Sequence, residues 1–556
     1  MRAEWWRDAT AYQIYVKSFN DTTGNGQGDI QGIIEKLDYL KMLGVDVLWL
    51  TPIYESPQND NGYDISDYYK IDSSYGTMAD FDRLLQETHK RKMKLIVDIV
   101  INHTSTEHAW FKEASSSKDN PYRDFYIWRD GVDGKEPNNW VSKFGGSAWA
   151  YDETTNQYYL HLFDRTQADL NWENEAVRNK VYDVLKFWAE KGVDGFRLDV
   201  INLISKNQQF PNDENGVGKQ YYTDGPRIHE FLHEMNQTVF EPYGLMTVGE
   251  MSSTSIESCV KYTNPDRKEL DMIFQFHHVK VDYPNGEKWA KVPFDFLELK
   301  RILSNWQVGM SSGGGWNALF WCNHDQPRIV SRFGNEGKYH DTSAKMLATT
   351  LHMMQGTPYV YQGEEIGMTN PHFSSVEQYR DVESLNAYES MKAAGKSEKD
   401  ILAILDAKSR DTSRTPMQWS DGPQAGFTDG TPWISVAHNY RDINAKDAIS
   451  KKDSIFYHYQ QLIRLRKTYD VIVKGDYKTL LADHEHIFAY VRHLNGEKML
   501  VLSNFYELDT IVNLNVEADI GRVKSVKVLL SNYSDSTTDI ETIHLRPYES
   551  IVYYIL

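Results

Sequence analysis

The feature that most limits the fold of this chain is a recurrence of eight short, nearly unbroken apolar runs separated by stretches with helical periodicity. The runs are YQIYVKSF (12–19), VDVLWLTPIY (45–54), KLIVDIVINH (94–103), VDGFRLDVI (193–201), LMTVGEM (245–251), DMIFQF (271–276), WNALFWCNHD (316–325) and TPYVYQGEEIG (357–367). A continuous apolar run is what a parallel strand needs when helices cover both faces of its sheet. Patterns such as IIEKLDYLKML (33–43) and FDRLLQETHK (81–90) supply the helices. Eight strand–helix units predict an α/β fold, a (β/α)8 barrel. A doubly wound open sheet uses the same units, and pattern alone leaves it open.

Two departures subdivide the chain. Roughly 70 residues separate the third and fourth runs, too many for an ordinary connection, so 104–172 is expected to be an inserted subdomain. After the eighth run, SEKDILAILDAKSRD (397–411) reads as a helical insertion. A helix follows with Ser454 as N-cap and Phe456, Tyr459, Leu462 and Ile463 on one face. Beyond 471 the pattern alternates with period two, and Asn495-Gly496 is a type I′ hairpin signal. The expected organisation is a barrel over 1–103 and 173–470, the insert, and a C-terminal antiparallel β-sandwich over 471–556.

Charge and composition exclude several function classes. The net charge is −19, which offers no broad basic field for nucleic acid or an anionic membrane. Two cysteines, Cys259 and Cys322, exclude a disulfide scaffold and fit a reducing compartment. MRAEWWRDATAYQIYVKSF has no apolar core followed by a small-residue cleavage site, and no window is long and apolar enough to span a membrane. A cytoplasmic monomer is expected.

In a barrel, chemistry sits at the C-terminal strand ends. Those ends carry Asp60 and Tyr63 after the second strand, His103 after the third, and Arg197 and Asp199 at the fourth. Glu250 ends the fifth, and His324, Asp325 and Arg328 follow the seventh. Carboxylates converging from three strands, with Arg and His interleaved, point to acid–base chemistry.

DIVINH (98–103), GFRLDV (195–200), VGEM (248–251) and NHDQPR (323–328) resemble the four ordered sequence blocks of the α-amylase clan of glycoside hydrolases, and QADLN (167–171) resembles its extra block. The resemblance runs essentially end to end. It implies a retaining mechanism with Asp199 as nucleophile, Glu250 as acid/base and Asp325 gripping sugar hydroxyls, assisted by His103 and His324. Arg197, two residues before Asp199 on the same strand face, would hold it ionised. DNGYDI (60–65) and SRTPMQW (413–419) are similar to the segments of exo-acting members, in which Asp60 and Arg414 would seal the non-reducing end of a glucose pocket. Non-catalytic clan members that partner amino-acid transporters need an anchor and have lost these carboxylates, unlike this chain.

One stretch departs from neutral-sugar members of the clan. QFHHVKVDYPNGEK (275–288) places His277, His278, Lys280 and Lys288 after the sixth strand, where neutral-sugar members typically carry acidic residues at positions 277 and 280. Positive groups at a substrate mouth suit an anionic leaving group, and a phosphate monoester carries about −1.5 to −2 charges near neutral pH. A bland alternative pairs the lysines with Asp282 and Glu287 on a solvated loop. The expected substrate is thus a phosphorylated disaccharide, with neutral isomalto-oligosaccharides as the alternative.

NDTTGNGQGDI (20–30) fails as a dinucleotide loop because Asp29 stands where G-x-G-x-x-G needs glycine, and its carboxylate would repel pyrophosphate. Asp21, Thr23, Asn25, Gln27 and Asp29 instead suggest a structural Ca²⁺ loop, as members of the clan carry here. No cofactor is required for the chemistry.

Overall fold

The computed structural model describes residues 4–214 and 216–556. Eight parallel strands form the central sheet: β1 (Ala11–Ile14), β2 (Val47–Leu50), β3 (Lys94–Ile99), β4 (Gly195–Leu198), β5 (Met246–Glu250), β6 (Met272–Phe274), β7 (Ala318–Leu319) and β8 (Thr357–Tyr361). Their order is β6-β5-β4-β3-β2-β1-β8-β7, and a parallel bridge between Ile273 and Asn317 joins its two ends. That closure rules out the open doubly wound sheet.

Each strand lies inside its apolar run, except that β1 begins one residue before its own, and the remainder of each run turns over the barrel rim. A distinct cluster including Val47, Trp49, Ile96, Val248, Met272, Phe274, Phe320 and Tyr359 fills the interior, so the barrel is a packed core. Strands β4 and β5 approach unusually closely. A Cβ on Gly195 would lie 2.1 Å from the Met246 carbonyl oxygen, so glycine permits the pairing that brings the ends of these two strands together.

Helix α1 (Ile30–Leu43) starts at Asp29, whose side chain accepts from the Gly32 N–H, and stops at Gly44 with φ 100°. It buries Ile30, Ile33, Leu37, Leu40 and Leu43, a 3–4 spacing worth about 1.5–3 kcal/mol per side chain before conformational entropy is subtracted. Helix α2 (Met78–Lys90) opens with a Thr77–Asp80 capping box.

Within 104–172, Gln167–Asp169 pairs antiparallel with His103–Ser105, and Trp128–Arg129, Gln157–Leu160 and Trp149–Asp152 form a three-stranded sheet. The apolar side chains of this insert, among them Trp140, Trp149 and Leu162, pack onto Val200, Leu203, Phe210 and Tyr222 from the segment after β4. The insert therefore rests directly on the loop that carries the nucleophile candidate. Near the C-terminal end of the barrel chain, the helix Glu398–Lys408 forms where the sequence predicts one, capped by Ser397. The helix Ile455–Thr468 buries Phe456, Tyr459, Leu462 and Ile463 as expected. Ser454 stands at its N-cap position as expected, but its hydroxyl donates to the Ala448 carbonyl rather than accepting from the first helical turn.

The C-terminal part holds a five-stranded antiparallel sheet and a two-stranded one, Thr510–Asn513 with Thr542–Leu545, around their own core. Asn495 and Gly496 join Ile487–Leu494 to Glu497–Asn504 with φ 50° and 91°, the signs a type I′ turn requires. Among the described residues no helix is long and apolar enough to cross a membrane.

Candidate active site

Strands β3, β4 and β5 converge on one guanidinium. Arg197 donates from one terminal nitrogen to both oxygens of Asp98, at 2.9 and 3.1 Å, and to Asp199 at 2.6 Å. Its other terminal nitrogen bonds Glu250 at 2.5 Å. Asp199 and Glu250 therefore share one guanidinium, and each bears on the ionisation of the other. Such proximity lies well inside the separation of about 6.5–9.5 Å that an inverting pair uses to admit water between its carboxyls. Val200, immediately after Asp199, is held at φ 37°, ψ 39°, a left-handed conformation rare for a β-branched residue. Its backbone N–H points at Glu250, 3.3 Å away. The strained residue thus turns the chain so that both carboxyls face one space.

Burial sets the charge states. Desolvation pushes Glu250 up to about 8, against the pull of Arg197 and with the charges of Asp199 and Asp325 adding to the rise. Burial also raises Asp199, but Arg197 opposes it, and the rise is smaller. Near neutral pH the pair shares one proton, and it resides on Glu250. Asp325 behaves oppositely. Burial would raise it, yet the surrounding polar and charged groups hold it well below the usual carboxylate range. His324 is itself kept neutral by burial, at about 3, so the charges responsible are Arg410 and Arg414. Gln13 donates to Nδ1 of His324, which leaves the Nε2–H facing Asp325.

Asp199, Val200, Glu250 and Asp325 line a cavity of about 280 Å³ together with Asp60, Tyr63, His103, Lys143, Phe144, Phe163, Ser252, Phe276, Lys280, Tyr283, Lys288, Gln326, Glu383 and Arg410, while His324 is buried behind Asp325. Tyr63 stacks on His324 with ring centroids 5.1 Å apart and donates to Asp98 at 3.0 Å. His103, lowered to about 4 by burial, is neutral, and its Nε2–H donates to the Tyr63 carbonyl. Gln167 of the insert donates to Asp60 at 3.0 Å, and Asp169 pairs with the buried amine of Lys206.

The partner of Asp60 is not the one expected. Arg410 lies 2.9 Å from Asp60 and faces the cavity, whereas Arg414 is wholly buried, bonding Asp325 at 2.6 Å and the His324 carbonyl at 2.8 Å. Arg410 opens a 3-10 turn, Arg410–Thr412, and Arg414 follows it; both reach Asp325 and buried Asp381, but of the two it is Arg410 that reaches Asp60. Arg328 is also buried behind the site, on the Gln362 carbonyl and over the Tyr361 ring.

The basic cluster after β6 divides. Lys280 and Lys288 reach the cavity, the latter 2.6 Å from Glu383. The histidines do not. His277 donates to the Thr254 carbonyl at 2.8 Å and stacks on Trp306, while buried His278 bridges Gln275 and the Phe320 carbonyl. Burial lowers both, His278 to about 4, so they brace the loop as neutral rings and bring no charge to the cavity. The cause is local: the chain enters the turn His278–Lys280 directly after β6, and neighbouring side chains diverge. Sequence reasoning missed Asp98, Arg410, Lys143 and Lys206. Asp98 had a readable signal, because a carboxylate inside an apolar strand is costly unless paired. Lys143 had none.

In the glycine-rich loop, both Asp21 oxygens accept backbone N–H groups, from Thr23, Gly24 and Gly26, and Thr428 donates a hydroxyl as well. Asn25 accepts from the Gln27 N–H, and Asp29 binds Thr22 and caps α1. Two carboxylates with amide and hydroxyl oxygens form the donor set of a hard cation. Among the described residues no group of three or more His, Cys, Asp or Glu converges as metal ligands, so such an ion would depend on Thr23, Asn25 and Gln27.

Residues 13–475 match the alpha amylase catalytic domain and residues 487–552 the alpha-amylase SusG C-terminal domain. The trehalose-6-phosphate hydrolase of Bacillus subtilis (strain 168) is 64% identical over 550 residues, covering 99% of this chain and 98% of that one. The oligo-1,6-glucosidase of Bacillus cereus is 54% identical over 559 residues, 100% of each. The crystal structure of Bacillus licheniformis trehalose-6-phosphate hydrolase superposes with a TM-score of 0.96 at 63% identity, over 99% of both chains. With the closed barrel, its insert and the carboxylates at its strand ends, these matches establish that the chain belongs to the alpha-amylase family of glycoside hydrolases.

Proposed function

We propose that this protein is a retaining exo-α-glucosidase that hydrolyses trehalose 6-phosphate to glucose and glucose 6-phosphate. Asp199 attacks the anomeric carbon while the glycosidic C–O bond breaks, and Glu250 gives its proton to the departing oxygen of glucose 6-phosphate. The ionised Glu250 then takes a proton from water, which attacks the same carbon and releases Asp199. Burial of Glu250 keeps it protonated at neutral pH, as the first step needs. Asp325, backed by the neutral ring of His324 and with neutral His103 across the cavity, holds the glucose hydroxyls and opposes the charge of the oxocarbenium-like transition state. Asp60 and Arg410 close the far end, which limits the site to one glucose unit.

The observation that carries the substrate is Lys280, an amine in the same cavity as the acid of an otherwise acidic protein, with Lys288 beside it on Glu383. The full-length likeness to two trehalose-6-phosphate hydrolases supports the same reading. A panel of trehalose 6-phosphate, trehalose and isomaltose tests it. The phosphorylated sugar should have the highest kcat/KM by at least tenfold. Preference for isomaltose would instead assign the neutral oligo-1,6-glucosidase activity.

The loop around Asp21 is proposed to bind Ca²⁺ as a structural ion outside this chemistry. Thermal melts with excess Ca²⁺ and with a chelator should differ by several degrees in wild type and coincide in Asp21→Ala. Identical melts for wild type would remove the ion from the account.

A further inference from the structure

The inserted subdomain contributes one cation to the cavity, and its surroundings differ from those of the other lysines. Lys143 comes from the turn after Trp140 and enters the cavity beside Ser252, whose hydroxyl lies 2.9 Å from its amine. Its stem passes the Tyr222 ring, with the amine 5.4 Å from the ring centroid. Neither Lys143 nor Lys280 forms an ion pair among the described residues, whereas Lys288 is matched by Glu383. The two amines line one cavity, where the charge of Lys280 bears on Lys143 and that of Lys219 on both. Ser252 stands two residues beyond Glu250, so Lys143 sits beside the acid, and Lys280 lines the same cavity.

Amines gathered without a counter-ion in a half-enclosed space are unfavourable until an anion joins them. Burial and this crowding lower Lys143 to about 7 and Lys280 to about 8, and a dianion between them would restore their full charge. Glu250 protonates the leaving oxygen, so the group on its side of the cavity is the leaving sugar. In the substrate proposed above, that sugar bears the phosphate.

We infer that Lys143, aimed by Ser252, is a specificity-determining residue that binds the phosphate of the leaving sugar jointly with Lys280, so that the inserted subdomain reads the charge of the substrate. The inference rests on the proposed function, and the test separates the two. Wild type, Lys143→Met, Lys143→Arg and Ser252→Ala are compared on trehalose 6-phosphate and on p-nitrophenyl α-glucoside, with glucose 6-phosphate as inhibitor. A charge-assisted hydrogen bond lost from a half-buried site should raise KM for the phosphorylated sugar at least tenfold more than for the nitrophenyl glucoside in Lys143→Met. The Ki of glucose 6-phosphate should rise in parallel, Lys143→Arg should recover part of both losses, and Ser252→Ala should show a smaller shift of the same kind. Equal changes on the two substrates, or an unshifted Ki, would make Lys143 a merely structural group and overturn the inference while leaving the function intact. No turnover of trehalose 6-phosphate by wild type would overturn the function itself.

Discussion

Replacing Asp98 by Asn tests the electrostatic core of the site. Asp98 touches no substrate and is fully buried, but it shares the Arg197 guanidinium with both carboxyls at the strand ends. Hydrogen bonds of 2.9 and 2.5 Å on either side of that guanidinium put the charges of Asp98 and Glu250 roughly 6 Å apart. At an effective dielectric of about 20 this repulsion is worth about 2–3 kcal/mol, or roughly 1–2 pKa units. Asp98 is itself raised to about 6 by burial and is therefore largely ionised where Glu250 titrates. Its charge opposes ionisation of Glu250, so removing it lowers the pKa of the acid. The basic limb of kcat/KM should move from near pH 8 towards pH 6–7 in Asp98→Asn. The folded protein should also lose about 2–3 kcal/mol, because a buried charge is left with fewer partners and the Asn amine meets one of the donors from Arg197, Tyr63 or Trp49. The assay is a pH–rate profile on p-nitrophenyl α-glucoside beside urea melts. A basic limb that stays put or moves to higher pH would refute the coupling.

Two further outcomes follow from the charge states. Glu250 holds its proton more tightly folded than unfolded between about pH 4.5 and pH 8, so it makes stability fall as pH rises through that window, by at most about 1.4 kcal/mol per unit. Glu250→Gln should therefore gain Tm relative to wild type at pH 8 more than at pH 5, and a Tm difference independent of pH would contradict the raised pKa. Asp60 is raised to about 7 by burial, with Arg410 opposing the rise. Arg410→Gln should push Asp60 higher still, move the acid limb of kcat/KM to higher pH and lower kcat/KM about 100-fold, as loss of a charge-assisted bond predicts. An unchanged acid limb would return the sealing role to Arg414.

Much of the architecture was legible because it depends on local patterning. Continuous apolar runs with period-3.6 segments between them specify strands buried on both faces, and the strand ends follow directly. Asp199, Glu250 and Asp325 could thus be placed on one rim of the barrel from position alone. The hairpin at Asn495-Gly496 was equally local, since positive φ at both positions favours those residue types. Reading failed where side-chain direction depends on short irregular turns. Three residues separate Arg410 from Arg414, and which of them meets Asp60 is decided by a 3-10 turn that no periodicity announces. The same holds after β6, where adjacent residues of HHVK point to the Thr254 carbonyl, the Phe320 carbonyl and the cavity.

By itself the sequence determined the eight strand–helix units, the three carboxylates at the strand ends and the presence of a positive segment beside the acid, while closure of the sheet into a barrel came with the tertiary structure. Only the tertiary structure decided which cations the substrate could meet. It turned two histidines into neutral struts, neutralised Lys288 with Glu383, and brought Lys143 in from a subdomain more than a hundred residues away in sequence from Lys280 and Ser252. The physical reason is that charge in a cavity depends on burial and on partners from distant parts of the chain, while strand and helix formation depends on neighbours along it.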